Sequence, residues 1–345
     1  MNAGATGVLP LSTTSSHIIQ RLSEKSSSFV QIAIPTNVLS SMSTSQLFTF
    51  LESSRWKDYA LIDSGDGLKL ERFGNYIFVR PESQAMWKRS LEAEAEWKQA
   101  HAVFQPTGEE SGGHWDFKKK VDEHWNLHYP LPHTSTELTF KVMTTPGRHL
   151  GVFPEVASHW DWFSELIAQS KREIKVLNLF GYTGLASLAA AAAGAKVTHV
   201  DASKKSVSWA RENQALSNLT ERPIRWIVED ALKFVQREAR RGTKYEGIIL
   251  DPPKFGRGPK GEVWEVYKSL PGLLEACRAC LSDHPLFVAT TLYAVRASAI
   301  HVAQVMEDMM DEFEGKIELG ELVTREQSAE RLLSQAVYAR WERKV

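Results

Sequence analysis

Three carboxylates and a pair of glycines in this chain stand at one kind of place, the end of a short apolar run. Val176-Leu-Asn-Leu-Phe-Gly-Tyr-Thr-Gly184 breaks from its apolar start at Gly181 and Gly184, and Val197-Thr-His-Val-Asp201 ends in an acid. A third run stops at Glu229-Asp230-Ala231, and Gly247-Ile-Ile-Leu-Asp251 runs into Pro252-Pro253-Lys254-Phe255-Gly256. Glycine at a strand-to-helix turn lets a ligand approach the backbone with no Cβ in the way. A carboxylate at such an end can accept from a pair of ribose-type hydroxyls or from an amine, or it can cap the next helix. Two prolines fix the backbone, remove its donors and leave carbonyls to accept. Each piece alone also fits plain local structure, as a cap or a tight turn. Their order at successive run ends points to a nucleotide-like site, although Gly-x-x-Gly is not the Gly-x-Gly-x-x-Gly of dinucleotide-binding turns.

The elements that must position these residues follow from the pattern around them. Strand-like runs at 176–180, 196–201, 224–228, 247–251, 286–291, 316–323 and 336–342 alternate with helical stretches at 203–217, 231–241, 271–281 and 298–313. That alternation predicts an α/β domain over 147–345, a parallel sheet covered on both faces, with a short final connection giving an antiparallel edge. Ligands in such sheets bind outside the carboxyl ends of the strands, where the glycine turn and the three acids fall. Before it, 46–146 reads as a smaller, mainly β domain: runs at 59–63, 68–72 and 76–80 are separated by Ser64-Gly-Asp-Gly67 and Gly74-Asn75. A helix is expected over Pro81–Phe104, with further strands near 124–129 and 137–143, and Gly147–Trp162 as a hinge-like bridge. Trp56, Trp87, Trp97, Trp115 and Trp125 could stack bases; core packing is the plainer expectation.

Residues 1–45 are rich in Ser and Thr and carry too little arginine for a transit peptide. They read as a weakly ordered segment, and the cytoplasm is the expected compartment. The chain's 345 residues hold 41 Lys plus Arg against 42 Asp plus Glu, so any polyanion partner must be held by a local patch. Cys277 and Cys280 are the only cysteines; with no second ligand pair they read as buried helix residues rather than a metal site. No apolar run approaches the ~20 residues of a membrane span, and the oligomeric state is not legible.

Val176–Gly184, Asp201, Asp230 and Asp251-Pro-Pro-Lys-Phe255 resemble the motifs of class I S-adenosylmethionine (SAM)-dependent methyltransferases. Ala210-Arg-Glu-Asn213 and Asp251-Pro-Pro-Lys-Phe-Gly-Arg-Gly-Pro-Lys-Gly-Glu-Val-Trp264 resemble one branch of them, the bacterial large-subunit ribosomal RNA enzymes that modify a cytosine carbon or a guanine ring nitrogen. The resemblance runs from about residue 146 to the C-terminus and implies a seven-stranded Rossmann-like sheet with SAM as cofactor. By it, Phe180, Gly181, Tyr182, Thr183 and Gly184 hold the methionine end, Asp201 with Ala202 the ribose, and Asp230 with Ala231 the adenine. Phe153 and Glu155 close over the cofactor, and Asp251, Pro252 and Pro253 face the methyl acceptor.

Carbon methylation of cytosine needs a cysteine that adds to the ring. The stretch where relatives carry it is Ala289-Thr-Thr-Leu-Tyr-Ala294, with no thiol. A nitrogen acceptor is therefore expected, with Thr291 and Tyr293 in its pocket. Lys254, Phe255, Arg257 and Lys260 follow the fourth strand where a phosphate backbone could lie, whereas Arg237, Arg240, Arg241 and Lys244 belong at the opposite rim, near a helix C-terminus. The expected function is methylation of a base in RNA. The alternatives are a methyltransferase for a protein or small molecule, an NAD-dependent oxidoreductase and a non-catalytic adaptor.

Overall fold

A computed structural model describes residues 48–107 and 112–344; the expectation for 1–45 lies outside them. The smaller sheet is a meander of β2 (Tyr59–Gly65), β3 (Leu68–Phe73) and β4 (Tyr76–Pro81), continued by β5 (Ala102–Pro106) parallel to β4 and by β6 (Gly113–Phe117). A hairpin, β7 (Trp125–Pro130) with β8 (Glu137–Val142), follows it.

The helix expected over Pro81–Phe104 does not form; only α1 (Glu94–Lys98) is helical. Its intended apolar stripe has no face to cover, because Leu91 stands 87% exposed. Trp87 instead donates its indole N–H to the Ser64 carbonyl, and Trp97 to Asp63 Oδ2. Indoles of Trp56, Trp115 and Trp125 are likewise committed to the carbonyls of Pro154, Thr145 and Phe73. All five tryptophans pack the fold and are not a platform for bases.

The larger sheet grows from β9 (Lys175–Leu179), whose run of Val, Leu and Leu is buried on both faces. It pairs in parallel with β10 (Lys196–Asp201) and with β12 (Gly247–Leu250). Beyond them lie β11 (Ile224–Val228) on one side and β15 (Phe287–Leu292) on the other. The chain thus winds one way from β9 and then the other, and the crevice where it reverses opens at the carboxyl ends of β9 and β12. The small hairpin β13 (Phe255–Arg257) and β14 (Val263–Glu265) leaves β12 there.

The hairpin β16 (Gly315–Arg325) and β17 (Leu332–Arg343) is inserted with β17 antiparallel to β15. It does not end the sheet, which has eight strands where seven were expected. The eighth, β1 (Phe48–Glu52), adds in parallel to β16, so these residues belong to the large sheet and not to the small β domain. A five-residue edge strand with alternating exposure offers no apolar run to read.

Helices α2 (Ala157–Gln169) and α3 (Leu185–Ala192) cover the face of Val176, Val197 and Ile249, and α4 (Lys204–Leu216) packs on β8, β10 and β11. Helices α5 (Ala231–Arg240), α6 (Val266–Ala279) and α7 (Ala299–Met310) cover the face of Leu177, Leu179 and Ile248. Cys277 and Cys280 are buried in that second layer, as expected, where Cys280 Sγ meets the Val235 carbonyl. The expected bridge is shorter than Gly147–Trp162, since a 3-10 turn at Pro154–Val156 passes directly into α2. One core runs from Phe73, Phe78 and Tyr129 through Trp160 and Phe163 to Val176, so small sheet and large sheet are joined through shared apolar packing. Among the described residues no helix is long and apolar enough to cross a membrane.

Candidate active site

The turn after β9 is strained and tightly held. Phe180 and Tyr182 both lie at positive φ (58° and 49°), unusual for residues with a side chain. The glycines also answer a packing need. A Cβ on Gly181 would meet the buried imidazole of His199 at 2.3 Å, and one on Gly184, itself at φ 87°, would meet Ala210 Cβ at 2.7 Å. They let the turn pack on β10 and α4. Asp201 fixes it there: Oδ2 accepts from the Tyr182 N–H at 2.9 Å and Oδ1 from the Ser203 N–H at 2.8 Å. Burial nevertheless leaves the Asp201 carboxyl above the usual range. Asn213 donates to the Thr183 carbonyl while accepting from Lys141 N–H, and Thr183 Oγ1 donates to the Gly151 carbonyl at 2.7 Å. The Ala210–Asn213 stretch and the Gly151–Glu155 segment are thereby struts of the turn.

A cleft of about 370 Å³ lies over the crevice. Phe153, Phe180, Tyr182, Asp201, Ala202, Asp230 and Ala231 all line it, together with Asp251, Pro253, Arg257 and Tyr293. Gly181, Thr183 and Thr291 line a smaller recess of about 60 Å³ beneath the turn, which also borders Phe153 and Asp251. Gly184, Pro252, Lys254, Phe255 and Lys260 line neither; Pro252 is buried and Phe255 half exposed with Lys254 over its ring. Asp230 caps α5, its Oδ1 accepting from Lys233 N–H at 2.9 Å. Arg237 lies in the last turn of α5, the helix C-terminus where the sequence put it, but its guanidinium pairs with Glu229 on the cleft wall and not at the opposite rim.

Asp251 ends β12 with Oδ1 buried and without a hydrogen-bond partner among the described residues. Burial, with the Glu155 charge adding to it, pushes its carboxyl up to about 7. The Pro253 carbonyl, expected to be free for an acceptor, accepts the Trp264 indole N–H at 2.6 Å, and Trp264 packs on Phe180 at 4.8 Å. The proline pair therefore braces the β13–β14 hairpin against the turn.

Glu155 does not face the cofactor side. It lines another cavity, of about 150 Å³, whose wall includes Lys69, Arg80, Arg148 and Gln335 and which shares His149, Phe153 and Tyr293 with the cleft. Sequence reasoning missed these partners. Arg80 forks onto Glu71, Nε to Oε2 at 2.7 Å and Nη2 to Oε1 at 2.8 Å, and Arg80 Nη1 donates to the Arg148 carbonyl. Burial alone would raise the Glu71 carboxyl, but Arg80 and Lys69 hold it at about 2. Lys69 and Arg80 pair across β3 and β4, with Glu71 two residues on. Charges on one face of two adjacent strands were the available signal.

The donor set fits a nucleoside-bearing cofactor. Asp201 and Asp230 each keep acceptor capacity beyond their backbone bonds, Phe153 and Phe180 give apolar walls, and 370 Å³ is within the range of small-molecule sites.

Residues 160–261 match the family model described as "Conserved hypothetical protein 95". The ribosomal RNA large subunit methyltransferase K/L of Shewanella sp. (strain ANA-3) is 39% identical over 99 residues, 28% of this chain and 14% of that protein. Its counterpart in Pseudoalteromonas atlantica is 38% identical over 119 residues, 34% of this chain and 16% of the relative. The chain thus spans about one seventh of the length of these curated relatives. The crystal structure of the SAM-dependent methyltransferase from Agrobacterium tumefaciens is 48% identical, covering 86% of this chain and 94% of that one with a TM-score of 0.79. SMU.776, solved with SAH, is 19% identical over 84% of this chain and 76% of its own with a TM-score of 0.62, a likeness of fold alone.

Proposed function

Because the chain belongs to the SAM-dependent methyltransferases, we propose that it methylates a ring or amino nitrogen of a base in RNA, with ribosomal RNA the expected substrate. Asp251 carries this reading: a buried carboxylate oxygen with no hydrogen-bond partner among the described residues sits just past β12, at a residue lining both the cleft and the recess beneath the turn. SAM bound in the cleft supplies an activated methyl group. Asp201 and Asp230 would hold its nucleoside, and Phe153, Phe180 and Tyr182 its remaining contacts, with Gly181 and Thr183 supporting the turn from below. Asp251 then orients the acceptor, and positioning supplies most of the rate, since in-line transfer needs little covalent help from the protein.

The nitrogen acceptor is supported by where the two thiols lie. Both are sealed in the α6 layer, and neither borders the cleft, the recess or the Glu155 cavity. Burial pushes both thiols up, Cys280 to about 11, so no thiolate is available to add to a cytosine ring. Similarity to the K/L ribosomal RNA enzymes over 99 residues supports RNA. Exposed Arg257 on the cleft rim, with Lys254 and Lys260 on the same hairpin, gives a phosphate backbone a local basic patch. In this reading residues 147–345 carry catalysis in the cytoplasm, and the small sheet within 46–146 recognises substrate.

Modified nucleosides of ribosomal and transfer RNA, compared with and without the gene, test the proposal. Purified enzyme should transfer labelled methyl into RNA from the deletion strain and not into wild-type RNA. Label appearing only in protein or small molecules would refute the RNA substrate, and calorimetric binding of NAD without SAM would refute the cofactor.

A further inference from the structure

The cavity that holds Glu155 is walled by four parts of the chain, one of them Tyr293 and Ala294 after β15. Lys69 and Arg80 come from the small sheet, Arg148 to Glu155 from the segment entering α2, and Gln335 from β17. Most of its charges are already satisfied: Arg80 is committed to Glu71, and Lys69 Nζ reaches Gln335 Oε1 at 2.9 Å and Glu82 at 3.5 Å. Glu155 is the exception. It is 9% exposed, and its carboxylate is met by its own backbone N–H and by no side-chain donor among the described residues. Its backbone is pinned, the carbonyl accepting from Ser53 Oγ at 3.0 Å and from Ser158 Oγ at 3.2 Å. A buried carboxylate held in place with only a backbone donor is costly unless something else completes it.

The opening towards the cofactor cleft is aromatic. His149, Phe153 and Tyr293 border both spaces, with ring centroids 4.7 Å apart for His149–Phe153 and 5.6 Å for Phe153–Tyr293. Burial and the neighbouring cations keep His149 neutral, down at about 3. A flat neutral ring edge suits stacking against a planar heterocycle. At about 150 Å³ the cavity is below the range of sites for drug-sized ligands, room for one ring system and not for a length of chain. Exposed Arg148 stands at its mouth with no ion pair among the described residues, where an anionic backbone would pass.

We propose that this cavity is the acceptor subsite, that it receives one planar nitrogen heterocycle extruded from its strand, and that Glu155 accepts the hydrogen bond of the acceptor's N–H. This rests on the RNA-base reading above. As the nitrogen lone pair forms the new N–C bond, the S–C bond breaks with its electrons returning to sulfur. The nitrogen's proton passes to the Glu155 carboxylate, whose burial raises its proton affinity while Lys69 and Arg80 offset part of that rise. Enzymes that act on a base take it out of the stack and read its edge by hydrogen bonds and stacking; here Glu155 is the reader and Arg148 the backbone guide.

Two variants test it, assayed on RNA from the deletion strain with SAH calorimetry alongside. Glu155→Gln keeps size and loses the acceptor of the proton. It should lower kcat at least tenfold and flatten the rise of rate with pH, with SAH affinity unchanged. Arg148→Glu alters only an exposed rim and should raise KM for RNA at least tenfold at near-constant kcat. Wild-type kinetics in either variant, or loss of SAH affinity in Glu155→Gln, would overturn the assignment while leaving RNA as substrate. Wild-type enzyme that labels protein and no RNA would overturn both.

Discussion

Asp251→Asn should stabilise the ligand-free protein, and the gain should grow with pH. The carboxyl's ordinary value of 3.8 is pushed up to about 7 in the fold, by burial first and by the Glu155 charge second. A group whose proton affinity rises on folding contributes stability that is fully present below its unfolded value and is lost as pH climbs through its folded one. Each pH unit across that window removes about 1.4 kcal/mol, so above pH 7 the ionised carboxylate costs about 4 kcal/mol relative to its protonated form. Asparagine has nearly the same shape and never ionises. Relative to wild type its advantage should therefore increase by about 3 kcal/mol between pH 5 and pH 8. Urea unfolding of both proteins at the two pH values measures this directly, and the difference between them removes the pH dependence of every other group. A gain equal at both pH values, or larger in acid, would refute the assignment of the buried charge to Asp251. In the same variant methyl transfer should collapse while SAH affinity stays within a few-fold, which separates a residue on the acceptor side from one that holds the cofactor.

Two further substitutions probe the frame around the site. Gly184→Ala must place a Cβ 2.7 Å from that of Ala210 at φ 87°, and should cost about 1–3 kcal/mol from overpacking plus about 1–2 from the left-handed backbone. Adding Ala210→Gly should recover the first part alone, which melting of the single and double variants resolves; full recovery would show that the backbone is not strained there. Arg80→Met strands the buried Glu71 carboxylate and should cost about 3–5 kcal/mol, most of it restored by Glu71→Gln in the same chain. A single variant as stable as wild type would mean that Glu71 finds its compensation elsewhere.

What the sequence made legible was set by how locally each feature is encoded. Strands 196–201 and 224–228 were read to the residue because each is a short, largely apolar run followed at once by a helix. Asp201, Asp230 and Asp251 could be grouped because parallel topology alone brings carboxyl ends of strands to one rim. Features without a local signature escaped. Strand β1 has one exposed face and finds its partner some 270 residues away, as the pairing of Phe48 with Leu319 shows. The span from Pro81 to Phe104 was misread because Trp87 and Trp97 look like a helix stripe, whereas each is fixed by an indole hydrogen bond to β2. The glycines have a packing role that was not legible, because nothing in Gly-x-x-Gly says that His199 and Ala210 lie against it.

The Glu155 cavity was the least legible feature and is the one through which the small sheet reaches the chemistry. Its residues come from positions 69, 80, 148–155, 293 and 335, which no motif connects. They are connected physically by one chain of bonds: Glu71 holds Arg80, and Arg80 donates to the Arg148 carbonyl at 3.2 Å, at the head of the segment that carries His149, Phe153 and Glu155. From the other side, Thr183 of the cofactor turn grips the Gly151 carbonyl of that same segment. Residues 148–155 are thus clamped between the small sheet and the glycine turn, with a shared apolar core behind them. A shift of the small sheet would be felt along this segment, at Glu155 and also at His149 and Phe153 on the cleft wall. In the proposed reading the two sides of the reaction are held by different ends of one short segment, the acceptor side through Arg80 and Arg148 and the cofactor side through Thr183 and Gly151.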